Sequence, residues 1–252
     1  MEMSMQDPLV VVTGGSSGIG RSTVDLILSD WQTAHVVILD KNTDGIERTK
    51  NSRLLTIDTD VSDARSVGMA FNSATTWASQ SVTHLVNCAG NQVKAASLEL
   101  TSDKWHSVLS VHLDGTFYAC QAAAKQMCEA GGGVIVNFSS VAEVFGWAAR
   151  LPYAVAKAGI SALTRTLSVE WAEYGIRVNA VAPGYVETPM IVRATSSGGI
   201  VEDPAPLHAL GRLAQPHEIA EAVIWLLSPK SSFVTGETLF VDGGFRQKKV
   251  RW

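Results

Sequence analysis

Seven short apolar runs recur along the chain, most of them followed by a stretch of helical periodicity, and no other feature restricts the possible folds as much. The runs are Leu9 to Val12, Val36 to Leu39, Leu54 to Ile57, Val82 to Val86, Val134 to Val136, Ile176 to Val181 and Thr238 to Val241. They are rich in β-branched residues and mostly lack polar alternation, the pattern of strands covered on both faces. Strands alternating with helices predict a doubly wound, Rossmann-type parallel α/β sheet of about seven strands with helices on both faces. A length of 252 residues, 46% of them hydrophobic, suits one large domain over 1–252 with no internal repeat or linker. The long irregular stretch at about 185–215 carries Ser196, Ser197, Gly198, Gly199, Pro204 and Pro206 and reads as a lid.

Open sheets of this kind carry their sites beyond the C-terminal ends of the strands, so the residues that close each run matter most. The first run enters Thr13-Gly14-Gly15-Ser16-Ser17-Gly18-Ile19-Gly20 and then a helical pattern through Val24, Ile27 and Leu28. Glycines permit a tight turn there, and a helix N-terminus offers free N–H groups and partial positive charge to a pyrophosphate. The second run ends at Asp40, twenty positions after Gly20. A carboxylate so placed can accept hydrogen bonds from an adenosine ribose and repels a 2′-phosphate. The turn offers only Ser16 and Ser17 where a basic residue would compensate, so the reading is NAD rather than NADP, with Lys41 softening the discrimination. The third run leads to Asp60-Val61, where Asp60 either reaches an adenine amino group or is a plain helix-entry carboxylate, with Ser62 or Asp63 as N-cap. The fourth ends in Asn87-Cys88-Ala89-Gly90, and His84 within it reads as a structural residue.

The fifth run ends in Asn137, Ser139 and Ser140. A helix then opens at Pro152-Tyr153 and places Lys157 one turn on, on the same face as Tyr153. A phenol with a pKa near 10 is a poor base at neutral pH and needs a positive neighbour. Two unit charges about 4 Å apart at an effective dielectric near 20 interact by roughly 4 kcal/mol, equivalent to a shift of about two to three pKa units. Lys157 is therefore expected to bring Tyr153 towards working pH, where acid–base catalysis is most effective. The substrate pocket is expected to be lined by Val93, Val141, Glu143, Val144, Trp147, Leu151, Tyr185 and the lid around 191–210, with Glu143 facing either the substrate or solvent.

The formal charge of −4, from 20 basic and 24 acidic residues, leaves no basic excess for nucleic acid or an anionic membrane. No run of about 18 apolar residues occurs, and the opening Met-Glu-Met-Ser lacks the features of a signal peptide, so a cytoplasmic location is expected. Cys88, Cys120 and Cys128 are odd in number and widely spaced, which predicts buried reduced thiols and neither a disulfide framework nor a metal site. The basic cluster Arg246, Lys248, Lys249 and Arg251 reads as a solvated tail or a docking segment for a neighbouring subunit.

Taken together the motifs resemble the short-chain dehydrogenase/reductase family, single-domain branch, over essentially the whole chain. They are Thr13-Gly14-x-x-x-Gly18-Ile19-Gly20, Asp60-Val61, Asn87-x-Ala89-Gly90, Ser140, Tyr153-x-x-x-Lys157, and Pro183-Gly184 followed by Val186 and Thr188. The resemblance implies a hydride transfer between NAD(H) and a small secondary alcohol or ketone, performed by a homotetramer. In it Tyr153 is the acid/base and Ser140 holds the substrate oxygen. Lys157 holds the nicotinamide ribose, and Pro183, Gly184 and Thr188 meet the nicotinamide end. Ser139 is the rival to Ser140, but the thirteen-residue separation from Tyr153 favours Ser140. One departure stands out, because the family's usual Asn is replaced by His112, before Gly115. Either the backbone carbonyl there holds a relay water, or the imidazole itself carries protons. The alternative functions are a 3-oxoacyl thioester reductase, a non-catalytic NAD-binding regulator, and a structural or interaction role.

Overall fold

In the computed structural model, which describes residues 8–43, 52–189, 191 and 203–248, each of the seven apolar runs is a strand. They are β1 (Leu9–Thr13), β2 (His35–Asp40), β3 (Leu54–Asp58), β4 (His84–Asn87), β5 (Gly133–Phe138), β6 (Ile176–Pro183) and β7 (Thr238–Val241). All pair in parallel, in the order β3-β2-β1-β4-β5-β6-β7. The order reverses at β1, where Thr13 is in register with Leu39 of β2 on one side and Asn87 of β4 on the other. A crevice opens at such a switch point.

Successive residues of a strand face opposite sides, so a continuous apolar run fills two cores at once. Leu9 and Val11 of β1 join Val37, Leu85, Ile135 and Val178 in one layer. Phe71 of α2 (Ala64–Ala78), Met127 of α4 (Gly115–Ala130) and Leu167 of α5 (Leu151–Glu170) cover that layer. Val10 and Val12 face the other way with Val36, Ile38, Val86 and Val136. There they meet Val24 and Ile27 of α1 (Gly18–Asp30) and Ile219 and Val223 of α6 (Pro216–Leu227). Each such side chain, fully buried, contributes about 1.5–3 kcal/mol.

The helix signals act where the sequence puts them. Asp63 caps α2 by accepting from the Arg65 N–H at 2.9 Å, Thr101 caps α3 (Ser102–Leu109), and Gly131 closes α4 with φ of 82°. The helical stretch across 101–130 is divided near Gly115. Between α3 and α4 lies a π-helical turn, Ser110–Asp114, with His112 at its centre. Gly115 follows because the backbone packs there against the loop after β3, and a Cβ would stand 2.9 Å from the Val61 carbonyl oxygen.

Residues 190 and 192–202 of the expected lid lie outside the described residues. Its flanks are fixed side by side: Val186 bridges Ala214, the Glu187 N–H donates to the Ala214 carbonyl, and the Ala214 N–H donates to that of Tyr185.

Candidate active site

The C-terminal ends of the strands enclose one cleft of about 470 Å³. Gly14, Ser17, Gly18, Ile19, Asp40, Asp60, Val61, Ala89 and Gly90 line it on the side of the first four strands. Ser140, Tyr153, Lys157, Pro183, Gly184, Val186 and Thr188 line it on the other, and His112 lies among its walls. Ser16, Gly20 and Asn87 are not part of the lining. Asn87 is buried between β4 and β5, where its amide donates to Asn137 Oδ1 at 2.9 Å.

The glycine turn fits a dinucleotide. Gly14 has φ of +66°, and a Cβ there would stand 2.7 Å from the Ala89 backbone, so the turn lies directly on the β4 loop. Ser17 is the N-cap of α1, yet its hydroxyl makes no capping bond. Ser16 Oγ is buried without a partner. A polar atom orphaned in this way calls for a ligand acceptor or donor. Asp40 is held at the end of β2 by the N–H groups of Ser16 (3.1 Å) and Asn42 (3.2 Å). Lys41 turns away from that position and pairs with Asp60 at 2.7 Å, which holds the Asp60 carboxyl down at about 2. The other Asp60 oxygen accepts from the Ser62 N–H and hydroxyl. Asp60 thus braces the turn before α2, whose N-cap is Asp63, while also lining the cleft.

At the catalytic end, Ser140 Oγ accepts from the Ala142 N–H and faces the Tyr153 phenol. Lys157, 5% exposed, donates to the Phe138 carbonyl at 2.6 Å, with its ammonium 5.5 Å from the Tyr153 ring centroid. The electrostatics differ from the expectation drawn from charge alone. Burial raises the Tyr153 pKa, and the groups that pull it back are the Ser140 hydroxyl and the Arg150 guanidinium. Burial also pushes Lys157 down to about 8. Desolvation penalises both charged forms and outweighs the attraction between Lys157 and the Tyr153 phenolate.

His112 is 4% exposed, and its ring stands edge-on to Tyr153 with centroids 5.3 Å apart. Its Nε2 lies 3.1 Å from the Asn91 N–H and 2.8 Å from the Asn91 carbonyl, while Nδ1 is buried without a partner. Burial, reinforced by Lys157, depresses its pKa to about 3, so the imidazole is neutral throughout the working range. The ring also explains Gly90, where a Cβ would stand 2.6 Å from His112 Cε1. The His112 carbonyl, in the π turn, accepts from the Thr116 hydroxyl at 2.6 Å.

Several expectations for the pocket need correction. Val141, Trp147, Tyr185 and Ile191 line the cleft, whereas Val93, Glu143, Val144 and Leu151 do not. Val144 and Leu151 point outwards, at 53% and 43% exposure. Glu143 faces neither substrate nor solvent. Its carboxylate turns back to accept from the Ser139 and Ser161 hydroxyls, tying the turn after Ser140 to α5. The Ser139 hydroxyl also lies 3.0 Å from the Lys157 carbonyl, so although Ser139 and Ser140 both line the cleft, Ser139 is engaged in tying the turn to α5. Among the thiols Cys88 lines the cleft and burial pushes it up to about 12, Cys120 is buried, and Cys128 is exposed, contrary to the expectation of three buried thiols. His84 is structural as expected, with Nδ1 at 2.9 Å from the Thr83 hydroxyl and its ring against Trp31.

Trp147 and Tyr185 stand in the pocket as expected, but sequence reasoning missed the aromatic partners and anchors around them. Trp147 stands 6.5 Å from Tyr153 and 5.4 Å from Tyr185, and Phe245, from the chain's end, packs on Phe145, Tyr185 and His208. His208 Nε2 accepts from the Tyr185 N–H at 3.0 Å, and Nδ1 donates to the Pro204 carbonyl at 3.2 Å. The described part of the basic tail is not loose: Lys248 donates to the His208 carbonyl at 2.7 Å, and Arg246 lies 3.8 Å over the Phe240 ring. The remaining tail residues, 249–252, lie outside the described residues. Arg150 and Gln92 were also missed; the only signal was a lone charge in an otherwise apolar and small-residue segment before Pro152.

A family model described as enoyl-(acyl carrier protein) reductase matches residues 14–246. The chain belongs to the short-chain dehydrogenase/reductase family. It is 38% identical to a cis-4-hydroxycyclohexanecarboxylate dehydrogenase of Sinomonas cyclohexanicum, over 97% of this chain and 99% of that one. It is 36% identical to the short-chain reductase protein NovJ of Streptomyces niveus, over 95% and 94%. The structure of ElxO with NADP bound superposes with a TM-score of 0.88 at 26% identity, covering 96% of this chain and 100% of that one. As a member of this family the protein is an oxidoreductase that uses a nicotinamide coenzyme. Among the described residues no helix is long and apolar enough to cross a membrane, and no cluster of side chains could hold a metal ion.

Proposed function

We propose that the protein is an NAD-dependent dehydrogenase that interconverts a small secondary alcohol and its ketone. The single observation carrying this reading is the convergence of Ser140, Tyr153 and Lys157 on the cleft that the glycine turn and Asp40 also line. When bound, the nicotinamide supplies or accepts the hydride. Tyr153 takes the alcohol proton during oxidation and returns it during reduction, and the Ser140 hydroxyl orients the same oxygen. Lys157 holds the ribose and lends positive charge beneath the phenol. His112 serves through its backbone, as part of the π turn beside Tyr153, and its neutral ring holds the Asn91 loop. The hydroxycyclohexanecarboxylate relative supports a ring-borne secondary alcohol as substrate.

NAD is preferred because the Asp40 carboxylate stands where a 2′-phosphate would have to go and Lys41 is engaged by Asp60. The NADP-bound neighbour speaks for the fold and not for this preference. The enzyme works in the cytosol as a homotetramer assembled through α4 and α5, whose outer faces expose Phe117, Val155 and Val169. Ala123 of α4 turns inwards and belongs to the core.

Steady-state kinetics with both coenzymes test the reading. NAD should exceed NADP in kcat/KM by about 100-fold, and Asp40→Ala should narrow the gap mainly by improving NADP. Equal use of the two by the unmodified protein would refute the preference.

A further inference from the structure

Arg150 is 8% exposed and carries a full charge. Among the described residues the ion pairs are Arg21 with Asp25, Lys41 with Asp60, Arg212 with Glu218 and Arg246 with Asp242, and Arg150 is in none of them. What it touches is neutral. Its Nη1 donates to Gln92 Oε1 at 3.1 Å, and its guanidinium carbon lies 5.8 Å from the centroid of the Trp147 ring. Gln92 and Trp147 both line the cleft. The charge is felt at Tyr153 and Tyr185, both of whose phenols it favours in the ionised form.

Burying a cation costs several kcal/mol, and a cation–π contact returns about 1–2 kcal/mol. One amide oxygen does not use five N–H donors. The position is built with some care. Ala149, just before Arg150, has φ of 60°, a left-handed conformation that costs a non-glycine residue about 1–2 kcal/mol. The Ala149 carbonyl in turn accepts from the Ala95 N–H at 3.2 Å, which fixes this segment to the loop that carries Gln92. Strain and an uncompensated charge held together beside reacting groups point to a ligand that supplies what is missing.

We propose that Arg150, with Gln92 as its gatekeeper, is the receptor for a carboxylate on the substrate, so that the enzyme acts on hydroxy acids and oxo acids in preference to neutral alcohols and ketones. The inference rests on the dehydrogenase reading above and narrows its substrate class. A carboxylate meets the guanidinium through two parallel hydrogen bonds, either displacing the Gln92 amide oxygen or joining it, and Trp147 supplies the apolar wall for the carbon skeleton between carboxylate and carbinol.

The test compares hydroxy acids with their own primary amides, which match them in shape and lack the charge: 3-hydroxybutyrate, 3-hydroxycyclohexanecarboxylate and 4-hydroxycyclohexanecarboxylate. For at least one pair the acid should exceed the amide in kcat/KM by roughly 30- to 100-fold, mostly through KM, as a charge-assisted hydrogen-bonded pair requires. Arg150→Met should bring that ratio close to one, and Arg150→Lys should retain part of it. Should Arg150→Met fail to fold, Gln92→Glu decides: it gives Arg150 an internal carboxylate, and the acid preference should disappear while the protein remains folded. Amides turned over as well as acids by the unmodified enzyme, or a preference that survives both Arg150→Met and Gln92→Glu, would overturn the proposal and leave the dehydrogenase reading intact. Absence of turnover for every alcohol with either coenzyme would refute the dehydrogenase reading instead. Calorimetry with cyclohexanecarboxylate and cyclohexanecarboxamide then settles the carboxylate site alone: binding of the acid only, lost in Arg150→Met, supports it, and equal or absent binding of both overturns it.

Discussion

On the β1–β3 side of the cleft the surface offered to a ligand is largely backbone, a glycine turn laid on the Ala89 segment with two carboxylates, Asp40 and Asp60, at its edge. On the β5–β7 side it is side chains, drawn from the turn after β5, the start of α5, the segment after β6 and the end of the chain. Trp147, Tyr153, Tyr185 and Phe245 meet there although almost one hundred residues separate the first from the last. The first side suits a ligand that does not vary, since close approach of backbone leaves little to alter. The second can change its substrate by changing one side chain at a time. The difference teaches where specificity resides in such a molecule. The π turn at His112 lies on the seam, packed against Gly90 on one hand and Tyr153 on the other.

The sharpest way to break the comparison is Gly14→Ala. A Cβ there enters the Ala89 backbone at 2.7 Å and the residue is held at φ of +66°, so about 3 kcal/mol of stability should be lost together with most coenzyme affinity. Chemical denaturation and coenzyme titration check both. A stability loss under about 1 kcal/mol would show that the turn is not the rigid backbone platform described.

Phe245→Ala probes the other side and should have a smaller effect. Removing a half-buried ring that packs on Phe145, Tyr185 and His208 should cost about 1–2 kcal/mol and raise the alcohol KM several-fold, with the coenzyme Kd little affected. An equal rise in both constants would mean that the two sides are not separable.

The smallest effect concerns the seam. His112 has a folded pKa of about 3 against about 6.5 in an unfolded chain, so between those values the unfolded state binds the extra proton. Stability is then full above about pH 6.5 and falls as the pH drops towards 3. His112→Asn should flatten this acid limb in thermal melts. It should keep most activity and leave the rate profile without any lost ionisation near neutral pH. Disappearance of such an ionisation, with a large fall in kcat, would mean that the imidazole itself carries protons.

The sheet was legible because each strand is covered on both faces and must be apolar throughout, and Gly14, Asp40 and Tyr153 were legible because backbone approach and acid–base pairing impose fixed spacings. Other features do not announce themselves locally. Glu143 reads as a loop carboxylate until the Ser139 and Ser161 hydroxyls are seen to converge on it. Arg150 gives no signal in the sequence of its contacts with Gln92 and Trp147, which come from the folded chain. The mutual effect of Tyr153 and Lys157 was misjudged because spacing reveals proximity and is silent about desolvation. The division of the helix at Ser110–Asp114 was signalled only by Gly115, which proves to serve the contact with Val61.

That the Tyr153 phenol serves proton transfer and not coenzyme binding is tested most directly by Tyr153→Phe, with coenzyme affinity and hydride transfer measured on the same preparation. The account predicts an NAD dissociation constant within a few-fold of the unmodified protein and a loss of turnover on a secondary alcohol of at least about 1,000-fold, within the range general acid–base catalysis supplies. Turnover near the unmodified level would contradict the account, because a phenylalanine can hold neither the proton nor the substrate oxygen.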